Sequence, residues 1–207
     1  MAKKRSIDLL DSFKQRLMSL EKMRKKQETL LQQKHINLKD IEQLYVALFI
    51  EAIVSFEAFI EELFFGLLTG KIKSTNHNVK TLVTFKNHTI AYAMVLRDRK
   101  YIDWLPYEYT IKIAKTFFKE GTPFTSIALD SEEDKHIKKC LVIRNALVHQ
   151  SVHSIKQFQD KILNGLHLMP RERKPKSFLR VEFSANPPTP YYEQLVTGLF
   201  NAAKILC

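Results

Sequence analysis

Cysteine is nearly absent from this chain. Cys140 and Cys207 are the only two. Their number and spacing build neither a disulfide framework nor a metal-ligand pattern, and such usage suits a reducing interior. Acidic residues are also under-represented, with 22 Asp and Glu against 33 Lys and Arg, for a formal net charge of +11. That excess defines no fold, but it favours a polyanionic partner: RNA, DNA or an acidic membrane. No apolar run of membrane-spanning length is free of charge. The longest candidate, 41–68, is interrupted by Glu51, Glu57, Glu61 and Glu62. The opening Met-Ala-Lys-Lys-Arg-Ser leads into an amphipathic stretch, not into an apolar signal core. There is no internal repeat and no boundary between two cores. The expectation is one soluble, cytoplasmic domain over 1–207. It divides into a basic N-terminal helix (1–37), a core bundle (38–165), and a basic loop with a C-terminal helix (166–207).

Helical periodicity fills most of what is present. Ile7, Leu10, Phe13, Leu17, Leu20 and Met23 recur at three- and four-residue steps and predict a helix over 6–34. The run Lys22, Arg24, Lys25, Lys26 reads as its solvated face. Residues 38–69 give the strongest helix. Ile41, Leu44, Tyr45, Leu48, Phe49, Ala52, Phe56, Phe59, Ile60, Leu63 and Leu67 form one broad apolar stripe. Ala47, Ile50, Val54, Ala58 and Phe65 fall on the far side, so this helix is apolar on two faces. A second apolar face on a small domain often meets another subunit. Glu57 and Glu61 lie between the stripes, where a carboxylate needs a partner.

Further helices are expected over 89–99, from Pro106 to about Glu120, from Ser131 to about Gln150, over 154–164, and after Thr189 as its cap. Residues 79–85 are a short strand or irregular. Residues 169–177 read as a basic loop, and 178–183 alternate like a strand. The fold class is all-α, with a minor strand element near the C-terminus.

One stretch departs from simple patterning. Cys140-Leu-Val-Ile-Arg-Asn-Ala-Leu-Val-His149 sets a fixed cation, an amide and a proton-transfer group within six residues of an apolar helix. Arg144 can clamp a phosphate bidentately. His149 can take or give a proton, and Asn145 can orient it or hold an oxygen. An Arg–His pair at this spacing is a weak signal alone; its apolar setting strengthens it. On a straight helix the two side chains lie about 140° apart. They converge on one atom more readily when two copies of the helix cross at a two-fold axis. The chemistry that fits is RNA cleavage by its own 2′-hydroxyl, giving a 2′,3′-cyclic phosphate and a 5′-hydroxyl with no metal required.

Arg144-Asn-Ala-Leu-Val-His149 resembles the R-x4–6-H motif of HEPN-domain ribonucleases. Ser55-Phe-Glu-Ala-Phe-Ile-Glu-Glu is similar to that family's long second helix with its frequent glutamate. Asp103-Trp-Leu-Pro106, followed by Phe117-Phe-Lys-Glu-Gly-Thr-Pro-Phe124, resembles the RiboL-PSP-HEPN-like branch. The likeness spans roughly 40–160. It implies a helical bundle, a homodimer with the motif helices at the interface, and metal-independent endoribonuclease activity in toxin–antitoxin or phage-defence settings. It implies catalytic roles for Arg144 and His149, an auxiliary role for Asn145, and a role for Glu57 on weaker grounds. No cofactor is implied. The expected partners are RNA, such as tRNA or mRNA, a second copy of the chain, and a cognate antitoxin or regulatory protein; no membrane is expected. The alternative is a non-catalytic HEPN module that binds RNA, a nucleotide or a partner protein.

Arg97, Arg99, Lys138, Lys139, Lys100 and the basic cluster at 171–180 are candidate RNA guides, although single surface cations are usually just solvated. Tyr101, Trp104 and Tyr107 read first as packing residues and second as base-stacking ones. His149 and His153 share a four-residue spacing, but no third ligand stands near them, so no metal site is assigned.

Overall fold

The computed structural model describes residues 3–185 and 187–207. Met1, Ala2 and Asn186, which the expected 1–207 domain includes, lie outside the described residues. The chain is all-α, 66% helix against 6% strand. In order the elements are β1 (Lys4–Arg5), α1 (Ser6–Gln32), α2 (Leu38–Leu68), β2 (Ile72–Lys73), α3 (His88–Leu96), α4 (Tyr107–Phe117), α5 (Glu132–Val148), α6 (Val152–Phe158), α7 (Pro175–Phe178), β3 (Glu182–Ala185), β4 (Pro188–Pro190) and α8 (Tyr191–Leu206). A π-helical turn, Gln159–Leu163, extends α6. β1 pairs with β2 in parallel, and β3 with β4 antiparallel.

Two compact units are interleaved along the chain. The first takes the chain to Gln15, Ser55–Lys135 and Phe200–Cys207. The second takes Arg16–Val54 and His136–Leu199. Helices α1, α2, α5 and α8 give residues to both.

Local chemistry explains the helix starts. Asn37 opens α2 with a reciprocal box: its Oδ1 accepts from Lys39 N–H and Asp40 N–H, while the Asp40 carboxylate accepts from Asn37 N–H. Ser131 caps α5 by accepting from Asp134 N–H at 3.2 Å. The buried Asp134 carboxylate accepts from Asp130 N–H, one residue earlier than a standard box would place it. By length and composition a window of α2 is apolar enough to cross a membrane despite its glutamates. More than half of that window is buried inside the protein, as in the core helix of a folded domain.

In the first unit the packing centre is Phe64. Its ring meets Phe65, Trp104, Phe117, Phe118 and Phe124 at centroid separations of 5.1 to 6.1 Å, edge-on or tilted as ring quadrupoles favour. Trp104 and Tyr107 are thus core residues. Trp104 Nε1 donates to Glu61 at 2.7 Å, which supplies a partner for one of the two carboxylates that α2 carries between its stripes. Tyr107 Oη donates to the Phe124 carbonyl. Only Tyr101, 66% exposed, stays on the surface.

In the second unit the first stripe of α2 is buried as its spacing predicts, from Ile41 to Ala52, with Leu44 half-buried. The expected run of solvated cations in α1 is broken by Arg24, which is 7% exposed, while Met23 faces water. Leu20 to Arg24 is the four-residue step that stays on the buried face. The guanidinium of Arg24 donates to Glu21, Tyr45 Oη and Glu193. Tyr45 Oη donates in turn to Glu28 at 2.6 Å, and Glu28 receives both arms of the Arg180 fork at 2.9 and 3.0 Å. Burial opposes the Arg24 charge, but the bonds from Glu21 and Tyr45 outweigh it. Burial, and then the Glu28 contact, push the Tyr45 phenol up to about 12.

Helices α5 and α8 approach closely at Gly198, where a Cβ would overlap the His136 ring. His136 Nε2 donates to the Leu195 carbonyl at 2.9 Å. Burial holds the His136 pKa below its ordinary value, with Lys139 adding to the depression and the Leu195 bond opposing it.

Three sequence expectations change near the C-terminus. The 169–177 loop ends in α7, with Pro175 at the first helical position. Phe178 closes that helix, and the strand begins only at Glu182. Thr189 does not cap α8, because it lies in β4 and its hydroxyl donates to the Pro187 carbonyl.

Tyr45→Phe removes the one hydroxyl that links Arg24 to Glu28. We expect a loss of about 1–3 kcal/mol in urea unfolding, the cost of leaving buried charged groups short of a partner. His136 gives a pH signature. Its depressed pKa makes the neutral ring the native form, so its stabilisation is complete above the unfolded value of about 6.5 and is lost as pH falls below it. The melting temperature of His136→Gln should therefore fall less between pH 7 and pH 5 than that of the wild type.

Candidate active site

Helix α5 presents Ile137, Cys140, Ile143, Ala146 and Leu147 to the core of the second unit. This is the actual buried stripe. Leu141 is half-buried and Val148 is 50% exposed. Burial raises the Cys140 thiol pKa well above its ordinary value, which makes it a packing residue.

The helix ends at Val148, two residues earlier than its pattern predicts. His149 N–H still closes a turn onto the Asn145 carbonyl at 3.0 Å. Gln150 then takes a left-handed backbone, φ 49°, and its side-chain amide donates to the Leu147 carbonyl. Ser151 restarts the chain as the N-cap of α6, accepting from Ser154 N–H at 3.2 Å. His149 and His153 therefore do not share a helix face. Their four-residue spacing crosses a break.

That break makes a cleft of about 390 Å³. Val142 and Asn145 enter it from α5 and His149 from the turn. His153, Ser154 and Gln157 come from α6, Lys161 from the π-helical turn, and Ser151 from the N-cap. His149, His153 and Lys161 are exposed, so their polar ends are open to solvent. Among the described residues the His149 ring has no side-chain hydrogen-bond partner.

Arg144 is half-buried and is not among the residues lining that cleft. Its Nη1 donates to Asn145 Oδ1 at 3.1 Å. No carboxylate lies within ion-pairing distance of it among the described residues. A half-buried guanidinium with no carboxylate beside it keeps N–H groups that a phosphate oxygen can accept from. Asn145 thus links Arg144 to His149. It holds Arg144 by its side chain, His149 by its backbone, and it lines the cleft.

The other predicted residues fall as follows. Glu57 belongs to the first unit, half-buried on α2. Lys138 and Lys139 are exposed on α5. Arg97 and Arg99 belong to the first unit and line a separate cleft of about 590 Å³ with Asp98, Asp103, Tyr109 and Lys112. Of the 171–180 cluster, Arg171 is paired with Glu42, Arg180 with Glu28, and Lys176 is bonded to the Gln43 amide oxygen. Arg173 and Lys174 are left exposed.

Reasoning from sequence passed over Gln157 and Lys161. With His153 they stand at successive four-residue steps, one helix face. That spacing was the signal available for finding them. A search of protein-family models, of curated proteins and of solved structures finds no match to this chain.

Proposed function

We propose that this chain is a HEPN-type endoribonuclease that cleaves RNA through attack of the 2′-hydroxyl on the adjacent phosphate. The observation that carries this reading is the Asn145 junction. A proton-transfer group and a guanidinium without a carboxylate meet one amide at the edge of an open cleft. His149 takes the 2′-hydroxyl proton or gives one to the departing 5′-oxygen. Arg144 stabilises the charge that builds on the phosphorane-like transition state. Asn145 fixes the guanidinium. Glu57 is assigned to this machinery by resemblance alone. The net charge of +11, with Lys138 and Lys139 exposed on the same helix as the motif, supports a polyanionic substrate.

The working unit in this reading is a homodimer. Arg144 does not line the cleft that His149 lines, so a second copy of α5 is the simplest source of a guanidinium there. Ala47 and Val54, the latter 47% exposed, keep part of the second apolar face of α2 open for such a copy. A toxin or phage-defence effector, held in check by an antitoxin or regulatory protein, is the biological setting that the resemblance implies.

Cleavage of total cellular RNA in EDTA, with products carrying 2′,3′-cyclic phosphate and 5′-hydroxyl ends, is the expected result. His149→Ala should slow cleavage by about 10²–10⁴-fold, the usual worth of a positioned acid or base. Arg144→Ala should slow it by about 10²–10³-fold, as for loss of one transition-state donor. RNA bound in a salt-dependent way but left intact would instead identify a non-catalytic binding module. Light scattering at micromolar concentration should give twice the 24.2 kDa chain mass; a monomeric mass would remove the composite site.

A further inference from the structure

Transphosphorylation of RNA needs two proton transfers. One proton leaves the 2′-oxygen as it attacks, and one reaches the 5′-oxygen as it departs. The HEPN-like motif supplies one group that can do either. The cleft beside it supplies a second. His153 lies on α6, across the break that ends α5, and opens into the same space of about 390 Å³ as His149. Both imidazoles are exposed, so both can exchange protons with water and reach a substrate. The titratable groups lining this space, from α5, the turn, α6 and the π-helical turn together, are His149, His153 and Lys161. Among the described residues no carboxylate lines it.

We infer that His149 and His153 form an acid–base pair within one protomer, and that Lys161 provides the fixed charge that holds the scissile phosphate between them. This rests on the ribonuclease reading above and deepens it. The neutral imidazole of the pair takes the 2′-hydroxyl proton as the 2′-oxygen–phosphorus bond forms. The protonated imidazole gives its proton to the 5′-oxygen as the phosphorus–oxygen bond to it breaks. The electron pair of the broken bond leaves with the 5′-oxygen, and no oxidant or reductant takes part. Afterwards the two rings have exchanged protonation states, and water restores them. His153 thereby becomes a catalytic residue in its own right, and the break at Gln150 has a use. A continuous helix would have set the two histidines side by side on one face; the break puts one in the turn and the other on α6, both lining one cleft.

The test begins by mapping a cleavage site in total RNA with the wild-type protein in EDTA. An oligonucleotide bearing that site is then made twice, once with the natural 5′-bridging oxygen and once with sulfur there. A thiolate departs without protonation. His153→Gln should slow the oxygen substrate by about 10²-fold or more and abolish one limb of a two-limbed pH–rate profile. One of the two variants, His149→Gln or His153→Gln, should recover close to wild-type rate on the sulfur substrate, and the other should stay slow on both. That pattern identifies the acid and the base. Lys161→Ala should weaken both substrates alike and leave both pH limbs in place. A His153→Gln protein that cleaves the oxygen substrate at the wild-type rate overturns the pair while leaving the nuclease reading intact. Both variants staying slow on sulfur would also overturn it, since neither would then be a proton donor. Wild-type protein that cleaves no RNA ends both proposals. Thermal melts of the variants should match the wild type, because both rings are exposed.

Discussion

The structure depends on covering α2. It is a helix of 31 residues with apolar side chains around most of its circumference. Left in water it would expose Tyr45, Phe49, Phe56, Phe59, Ile60, Leu63 and Phe64, which are all nearly or fully buried here. At about 1.5–3 kcal/mol for each large apolar side chain taken from water, that one stripe is a major driving force for folding. Its first half gives Ile41 to Ile53 to one compact unit and its second half gives Phe56 to Leu68 to the other.

The two halves are covered by different chemistry. The Phe64 end is met by aromatic rings, and the Glu61 carboxylate there accepts from Trp104. The Tyr45 end is met by a hydrogen-bonded chain of charged groups joined through a phenol: Arg24, Tyr45, Glu28 and Arg180. Such a chain is a poor source of net stability compared with an apolar isostere, but breaking one link leaves buried charge without a partner. It fixes which face of α1 meets α2 and anchors the segment that carries Arg180. Arg180, one of the candidate RNA guides, is engaged by Glu28 in this chain.

The candidate site sits where the chain stops being regular. Helix α5 is held by its buried stripe as far as Leu147, and the turn at Gln150 then redirects the chain into α6. A side chain inside a helix has its direction set by the residues around it. His149 lies just past that limit, joined to α5 only through its backbone bond to Asn145. The angular estimate of 140° between Arg144 and His149 therefore applies to a helix that ends one residue too soon. What links the two in the folded chain is Asn145.

Residue order alone determined the helical class, the extent of α1 and α2 within about two residues, and the buried stripe of α2. These follow from hydrophobic period and capping, which are local properties of the chain. The Arg144–Asn145–His149 motif was likewise visible as a motif. Residue order did not determine that Arg24 is buried, because it sits in a run of solvated cations and two of its three partners, Tyr45 and Glu193, come from α2 and α8. Nor did it show that Met23 and Val148 face water, or that the strand after Phe178 begins late. The break at Gln150 has no Gly or Pro to announce it. The cleft that gathers Asn145, His149, His153, Gln157 and Lys161 exists only because two helices meet across that break. Which polar side chains share a space depends on where the chain turns, and tertiary packing decided that turn.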